Sequence, residues 1–510
     1  MATNASNTLY AALRTLPVQL PDQVTGGSVW YTVGAVVASL LVLEQLVYRT
    51  KKGHLPGPRW TIPIIGKFAD SRSPTLEKYI ESWKSGALSA VSVFNIFIVM
   101  SATNEYSRKI FNSPKYAEPC LVASAKQVLC PDNWVFLNGK AHVEYRRILN
   151  TLFTRKALSI YLQTQDAITR QHFARWLIES ELSSKPGTLM NPIRDLNMVT
   201  SLRVFCGSHI PDHAIATITE KYWVITCALQ LVNFPLAIPG TATYRAIQAR
   251  KEAMVWLEAA AASSKRAMAE GKDVECLLDA WVMEINEARK QGKMDREFSD
   301  REMALVVLSF LFASQDAMSS GLIYFLQHLA DHPDVLAKVR EEQERVRGGD
   351  FERPTTLEML DAMPYIKACV KETLRLRPPV TMVPYKATRP FPISEDYTVP
   401  KNTIIIPSLY PSVMDEEVYP EPEKFLPDRW LDPESPANAN PQQYLVFGSG
   451  PHRCIGVEYV MMHMSVVGGV AACLLDWTHH VTPDSEKTQM IATIFPKDGC
   501  IVSFRPRKHD

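Results

Sequence analysis

A mainly α-helical body with small β-sheets, tied to a membrane by one N-terminal transmembrane helix, is the fold class this sequence predicts. Three observations carry it. Residues 28–48 run almost unbroken in apolar side chains, about the 20 residues a bilayer crossing requires. Helical spacing and end signals recur at 139–149, from Ser299 to about Ala330 and after Ile455, whereas the clearest strand, Thr403-Ile404-Ile405-Ile406, is short. From Arg59 to Asp510 there is no repeat, low-complexity run or shift in composition, so 59–510 reads as one large domain. Hydrophobic residues make up 46% of the chain and charged ones 21%, enough to fill a large core. A net charge of +1 supplies no basic footprint, which argues against a nucleic-acid partner. The nine cysteines show neither a Cys-x-x-Cys nor regular spacing, so they suggest no disulfide framework, no zinc site and a reducing compartment.

Within 28–48, Trp30, Tyr31 and Tyr48 stand where interfacial aromatics belong. Glu44 and Gln45 are its polar exceptions, and a helix lying on the membrane surface is the alternative. The stretch starts late and lacks a basic leader, so it is read as a retained anchor and not a cleaved signal. Arg49, Lys51 and Lys52 follow directly. By the positive-inside rule they keep the body in the cytosol and place residues 1–27, with the sequon Asn4-Ala5-Ser6, on the lumenal side. Residues 49–58 end in Leu55-Pro56-Gly57-Pro58, whose prolines make a stiff linker.

Further along, His142, Arg146 and Leu149 share one helical face, while Arg147 points to solvent or a partner. Ser299-Asp300-Arg301-Glu302 is a capping box that opens a helix of about 31 residues, or about 46 Å. Its middle breaks the apolar pattern at Ala313-Ser314-Gln315-Asp316-Ala317-Met318-Ser319-Ser320. Buried polar groups need partners, so this notch serves catalysis, a ligand or a helix–helix contact. Glu372 and Arg375 lie one turn apart ahead of Pro378-Pro379, and Arg429 sits in Phe425-Leu426-Pro427-Asp428-Arg429-Trp430. Last comes Phe447-Gly448-Ser449-Gly450-Pro451-His452-Arg453-Cys454-Ile455-Gly456, a glycine-rich loop that presents a cysteine just before a helix. The helix N-terminus, with Arg453 and His452 adjacent, favours a thiolate there, suited to a metal ligand or a nucleophile.

This loop fills every position of Phe-x-x-Gly-x-(His or Arg)-x-Cys-x-Gly and so resembles the haem-binding loop of the cytochrome P-450 superfamily, with the other motifs in matching order. The resemblance implies the P-450 fold, haem b (iron protoporphyrin IX) with Cys454 as its axial ligand, and O2 with NADPH-derived electrons. NADPH–cytochrome P-450 reductase would be the donor, with cytochrome b5 as a further candidate donor. It further implies haem contacts from Arg146, His142, His452, Phe447, Gly448, Gly450 and Gly456, with His142 where tryptophan is commonest, and an ion cluster of Glu372, Arg375 and Arg429 under the haem. The superfamily pattern over the iron, Ala/Gly-Gly-x-Asp/Glu-Thr, keeps Ala313 and Asp316 but has Ser314 for the glycine and Ala317 for the threonine that aids proton delivery. Gln315, Ser319, Ser320 or a water would then substitute.

Phe312-Ala313-Ser314-Gln315-Asp316-Ala317, Tyr385-Lys386-Ala387-Thr388 and Asp415-Glu416-Glu417-Val418-Tyr419-Pro420 look like the fungal sterol C-22 desaturase branch. That likeness implies an endoplasmic reticulum enzyme of ergosterol biosynthesis acting on a sterol side chain. An apolar pocket would then draw on Leu121, Val128, Phe234, Phe312, Ala313, Met382, Val383, Ile494 and Phe495. Sterol 14α-demethylation or hydroxylation of another lipid stays open here, as does a haem-thiolate isomerase or dehydratase acting on a lipid peroxide.

Overall fold

The computed structural model describes residues 26–66, 75–122, 124–183, 185–229, 236–293, 296–490 and 493–508. The sequon at Asn4, nearly all of the predicted lumenal segment and Phe234 lie outside them.

The first helix, α1 (Gly26–Lys52), is longer than the predicted 28–48 and takes in the basic residues that follow. Trp30, Tyr31, Leu40 and Leu43 are exposed on it, as an anchor in lipid requires. Two later helices are as apolar, but their windows are 78% and 72% buried inside the body, which makes them core helices and leaves α1 as the membrane candidate among the described residues. Glu44 and Gln45 have a specific use. Ile64 N–H donates to Glu44 Oε1 at 2.9 Å, and Thr61 N–H to Gln45 Oε1 at 3.0 Å, so a segment returning from the linker packs along the helix end. Tyr48 is buried, and its hydroxyl donates to Pro58 O at 3.0 Å.

Beyond the linker, β1 (Leu88–Val93), β2 (Ile96–Ser101), β3 (Ala117–Pro119), β4 (Tyr385–Ala387) and β5 (Ile404–Ile406) form one sheet in the order β1-β2-β5-β4-β3. Only β2 and β5 run parallel in it, with Val99 opposite Ile405. The rest is mainly helical. The site is framed by α2 (Gly139–Leu149), α3 (Met190–Cys206), α4 (Asp212–Ala228), α5 (Ala242–Ala269), α6 (Leu277–Lys290), α7 (Asp300–Asp331), α8 (Pro364–Leu376) and α9 (Val457–Leu474).

At 32 residues, about 48 Å, α7 crosses the whole body. The capping box starts it as the sequence indicates: Ser299 caps the N-terminus and Glu302 bonds back. It packs on α3, α5 and α9, and its apolar residues lie in the largest core cluster. Its last residue, Asp331, accepts from His479 Nδ1 at 2.9 Å, on the strand β6 (Leu475–His479). The hydrogen bond to Asp331 raises the His479 pKa above its ordinary value, against the opposing effect of burial. A raised histidine stabilises fully below its unfolded pKa of about 6.5, and that contribution fades as pH climbs through the folded value. Thermal unfolding followed from about pH 6 to about pH 8 is therefore expected to show a falling Tm, with a shallower slope in His479→Gln.

Candidate active site

The loop that bears Cys454 is shaped by its own backbone. Phe447 ends a short 3-10 turn, Leu445–Phe447, and Gly448 follows at φ 70°. Cys454 N–H donates back to Phe447 O at 2.9 Å, closing the loop. Gly450, at φ 72°, passes so close to the chain at Phe111 that a Cβ would sit 2.4 Å from the Phe111 carbonyl oxygen. At Gly448 and Gly456 the reverse holds, since a Cβ there would meet open space. Helix α9 begins at Val457, two residues later than Ile455, with Gly456 as its N-cap. Among the nine cysteines, all free, Cys454 is the exposed one.

The electrostatics differ from the expectation in two ways. The surrounding protein disfavours charge on the Cys454 thiol and raises its pKa, although the Gly456 N–H, Arg146 and Arg453 pull the other way. His452 is no cation: burial, with His142 and Arg146 close by, lowers it to about 4. A metal cation at the sulfur would favour the thiolate directly.

Helix α2 presents His142 and Arg146 to this loop, with Arg147 exposed and Leu149 buried as their spacing indicates. The Arg146 guanidinium donates to Arg453 O. The buried His142 ring stacks on His452 at 3.9 Å and on Trp134 at 6.0 Å. Trp134 in turn meets Phe310 of α7 edge-on at 6.2 Å, so a row of rings links the loop to α7 one turn before Ala313. Trp134 Nε1 is buried without an acceptor among the described residues. The open Cys454 side chain, the clear space over Gly448 and Gly456, and the donors of Trp134 and Arg146 fit a flat anionic cofactor with a metal at its centre.

On α7 the notch divides into two faces. Ala313 is exposed and Phe312, Ser314 and Ala317 are partly open in a helix otherwise buried from Met303 to Leu329, so a crevice adjoins this face. The remaining polar groups turn away, Gln315, Asp316 and Ser319 toward α3 and α4 and Ser320 toward the strand at Ile494. The Asp316 carboxylate pairs with Arg194 and accepts from Thr226 Oγ1 at 2.9 Å. Arg194 also lies over the Trp223 ring at 4.4 Å. Gln315 Nε2 donates to Arg194 O at 2.8 Å. Ser319 Oγ donates to Gln315 O at 2.5 Å and accepts from Asn197 at 2.9 Å, while Ser320 donates to Ile494 O. Of the notch side chains with a polar group, Ser314 keeps the open surface, with its Oγ 3.4 Å from Ser201 Oγ.

Beneath the loop, Glu372 and Arg375 are fully buried and paired bidentately at 2.9 Å. Glu372 also accepts from Arg429 Nε at 3.1 Å, Trp430 Nε1 at 2.9 Å and Leu426 N–H at 3.1 Å. Trp430 packs on Tyr444 and Tyr444 on Phe447, which carries this cluster's rigidity into the cysteine loop.

The geometry is matched by similarity along the chain, for the cytochrome P450 family model covers residues 74–502. The chain belongs to the cytochrome P450 family. The cofactor that this membership implies is haem iron working with O2 and reductase-supplied electrons, and the residues around Cys454 fit it. A C-22 sterol desaturase of Gibberella zeae is 39% identical to this P450 over 99% of this chain and 98% of its own. The C-22 sterol desaturase of Aspergillus fumigatus is 41% identical over 93% and 94%, and a P450 monooxygenase of Emericella variicolor 41% over 94% and 93%. A retinoic acid-bound cyanobacterial P450 shares the fold, with a TM-score of 0.75 at 21% identity over 88% of this chain and 98% of that one.

Of the pocket residues read from the sequence of this P450, Leu121, Phe312, Ala313, Met382 and Val383 keep open surface, whereas Val128, Ile494 and Phe495 are fully buried. Arg194, Thr226, Trp134 and Trp430 were not singled out. Trp134 carried a signal, an aromatic two helical turns before a histidine that stands where tryptophan is usual. The Arg194 side carried none, since its partner is 122 residues away.

Proposed function

We propose that this P450 is a sterol C-22 desaturase that introduces the C-22(23) double bond into a sterol side chain during ergosterol biosynthesis. It would sit in the endoplasmic reticulum membrane by α1, single-pass with the body cytosolic, and take electrons from an NADPH-dependent reductase or cytochrome b5. The observation that carries this reading is likeness at about 40% identity, over most of both chains, to the C-22 sterol desaturases of several fungi. Haem b, bound through Cys454, would supply O2 activation: the side chain gives up two hydrogens, the reductase adds two electrons, two protons enter from solvent, and O2 is reduced to two waters.

The chain's own residues do the rest. Trp134, Arg146 and His142 would hold the cofactor's acidic edge, and Glu372, Arg375 and Arg429 would keep the loop that carries Cys454 rigid. Arg194 and Thr226 fix Asp316, so its carboxylate is a clamp between α7, α3 and α4 and not a free acid. Ala313 and Ala317 leave room for the sterol side chain. Proton delivery falls to Ser314 Oγ, with Ser201 next to it, since the hydroxyls of Ser319 and Ser320 are committed elsewhere.

Incubation of the purified enzyme with reductase, NADPH and sterols having a saturated side chain, with products read by mass spectrometry, tests the assignment. A product lacking two side-chain hydrogens supports it, and loss of the 14α-methyl group or hydroxylation alone would overturn it. In the same assay Ala317→Thr, which restores a hydroxyl on the open face, is expected to raise side-chain-hydroxylated product several-fold. An unchanged ratio would remove Ala317 from product control.

A further inference from the structure

Cysteine spacing suggested no zinc site, yet among the described residues one group of metal-type ligands comes together away from the haem loop. His209, Cys276 and Asp279 offer a nitrogen, a sulfur and an oxygen within 4.8 Å of one another. His209 lies in the turn Gly207–His209 that follows α3, Cys276 is the N-cap of α6, and Asp279 is in the first turn of α6. Gly207 allows the approach, since a Cβ there would come 2.9 Å from Cys276 Cβ. Cys276 is fully buried, and the His209 and Asp279 side chains are 10% and 1% exposed.

We propose that these three residues form a structural site for a divalent transition metal of the zinc class. The donor set is one zinc takes, and one thiolate, one carboxylate and a neutral imidazole balance its charge. Supporting contacts already orient two of the three ligands. His209 Nδ1 meets Ser263 Oγ at 3.0 Å, leaving Nε2 toward Asp279 at 2.8 Å. Asp279 accepts from Ser264 Oγ at 2.5 Å and from the Glu275 N–H at 3.2 Å. Such outer contacts fix the tautomer and aim of metal ligands. A surface groove of about 290 Å³, bordered by Ser208, Ser263, Arg266 and Glu275, opens on His209 and Asp279 and admits the metal and a fourth, water ligand. Tetrahedral zinc, with bonds of about 2.0–2.3 Å, needs ligand separations of roughly 3.3–3.8 Å, within small side-chain movements of those seen. On binding, the Cys276 thiol gives its proton to solvent, the His209 imidazole gives up its Nε2 proton and carries one on Nδ1, which donates to Ser263 Oγ, and the His209–Asp279 hydrogen bond is exchanged for two bonds to the metal. The ion would pin the α3–α4 connection to α6.

The test uses the haem-loaded enzyme, so that Cys454 is occupied, stripped with a chelator, desalted and titrated with zinc chloride alone. One zinc per chain is expected, with an X-ray absorption shell showing one sulfur at about 2.3 Å plus nitrogen or oxygen neighbours. Cys276→Ser and His209→Gln should each weaken binding by more than about 100-fold while the reduced-CO spectrum persists. Absence of stoichiometric zinc, a shell without sulfur, or equal zinc retention by both variants would overturn the site. Should a variant lose its reduced-CO spectrum, the absorption shell of the parent enzyme decides alone.

Discussion

Cys454→Ser is expected to eliminate the thiolate-type Soret band of the reduced CO complex and to bring sterol desaturation below detection. A serine oxygen is a poor substitute because its proton is held far more tightly than a thiol's, and this loop does little to loosen it. Surrounding protein pushes even the Cys454 thiol upward, so ligation depends on sulfur's own acidity together with the Gly456 N–H and the charges of Arg146 and Arg453. No other cysteine is placed to take over, for six of the remaining eight are buried and Cys120 and Cys227 are only partly open. A CO-difference spectrum of the purified variant checks the result, and persistence of the thiolate band would mean that another residue holds the iron.

The second large effect is expected at Glu372. Its two carboxylate oxygens, wholly inside the protein, accept from Arg375 twice and from Arg429, Trp430 and the Leu426 amide. Glu372→Gln keeps the shape but leaves two guanidinium groups in the interior without a counter-charge, and breaking a buried pair in this way costs about 3–5 kcal/mol. Denaturant midpoints should fall accordingly, and haem content should fall with them because the cysteine loop rests on this cluster through Tyr444. Arg155 makes a suitable control. Its pair with Asp361 is exposed, at 61% and 54%, so Arg155→Ala should leave the denaturant midpoint nearly unchanged.

Local signals in the sequence proved legible where chemistry is local. The capping box at Ser299 placed the start of α7, the glycines around Cys454 marked a tight loop, and the i, i+3 spacing of Glu372 and Arg375 described a pair that exists. Pairings across the chain were beyond reach. Nothing near Asp316 announces Arg194, and the notch polar groups, read as candidates to replace a missing hydroxyl, divide by helical face in a way that only the neighbouring helices decide. The same holds for His209 with Cys276 and Asp279, which the turn after α3 brings together. Glu44 and Gln45 looked like flaws in a membrane span because the amides that donate to them, of Ile64 and Thr61, lie one linker away.

Those two side chains also join the anchor to the body. With the helix end, the returning segment and Tyr48 bonded into one piece, the anchor is a spar continuous with the hull and not a tether. Rocking of the body would have to drag the helix through lipid, so any doorway on the membrane side stays at a constant depth. A water-insoluble substrate could then reach it by sliding sideways within its leaflet.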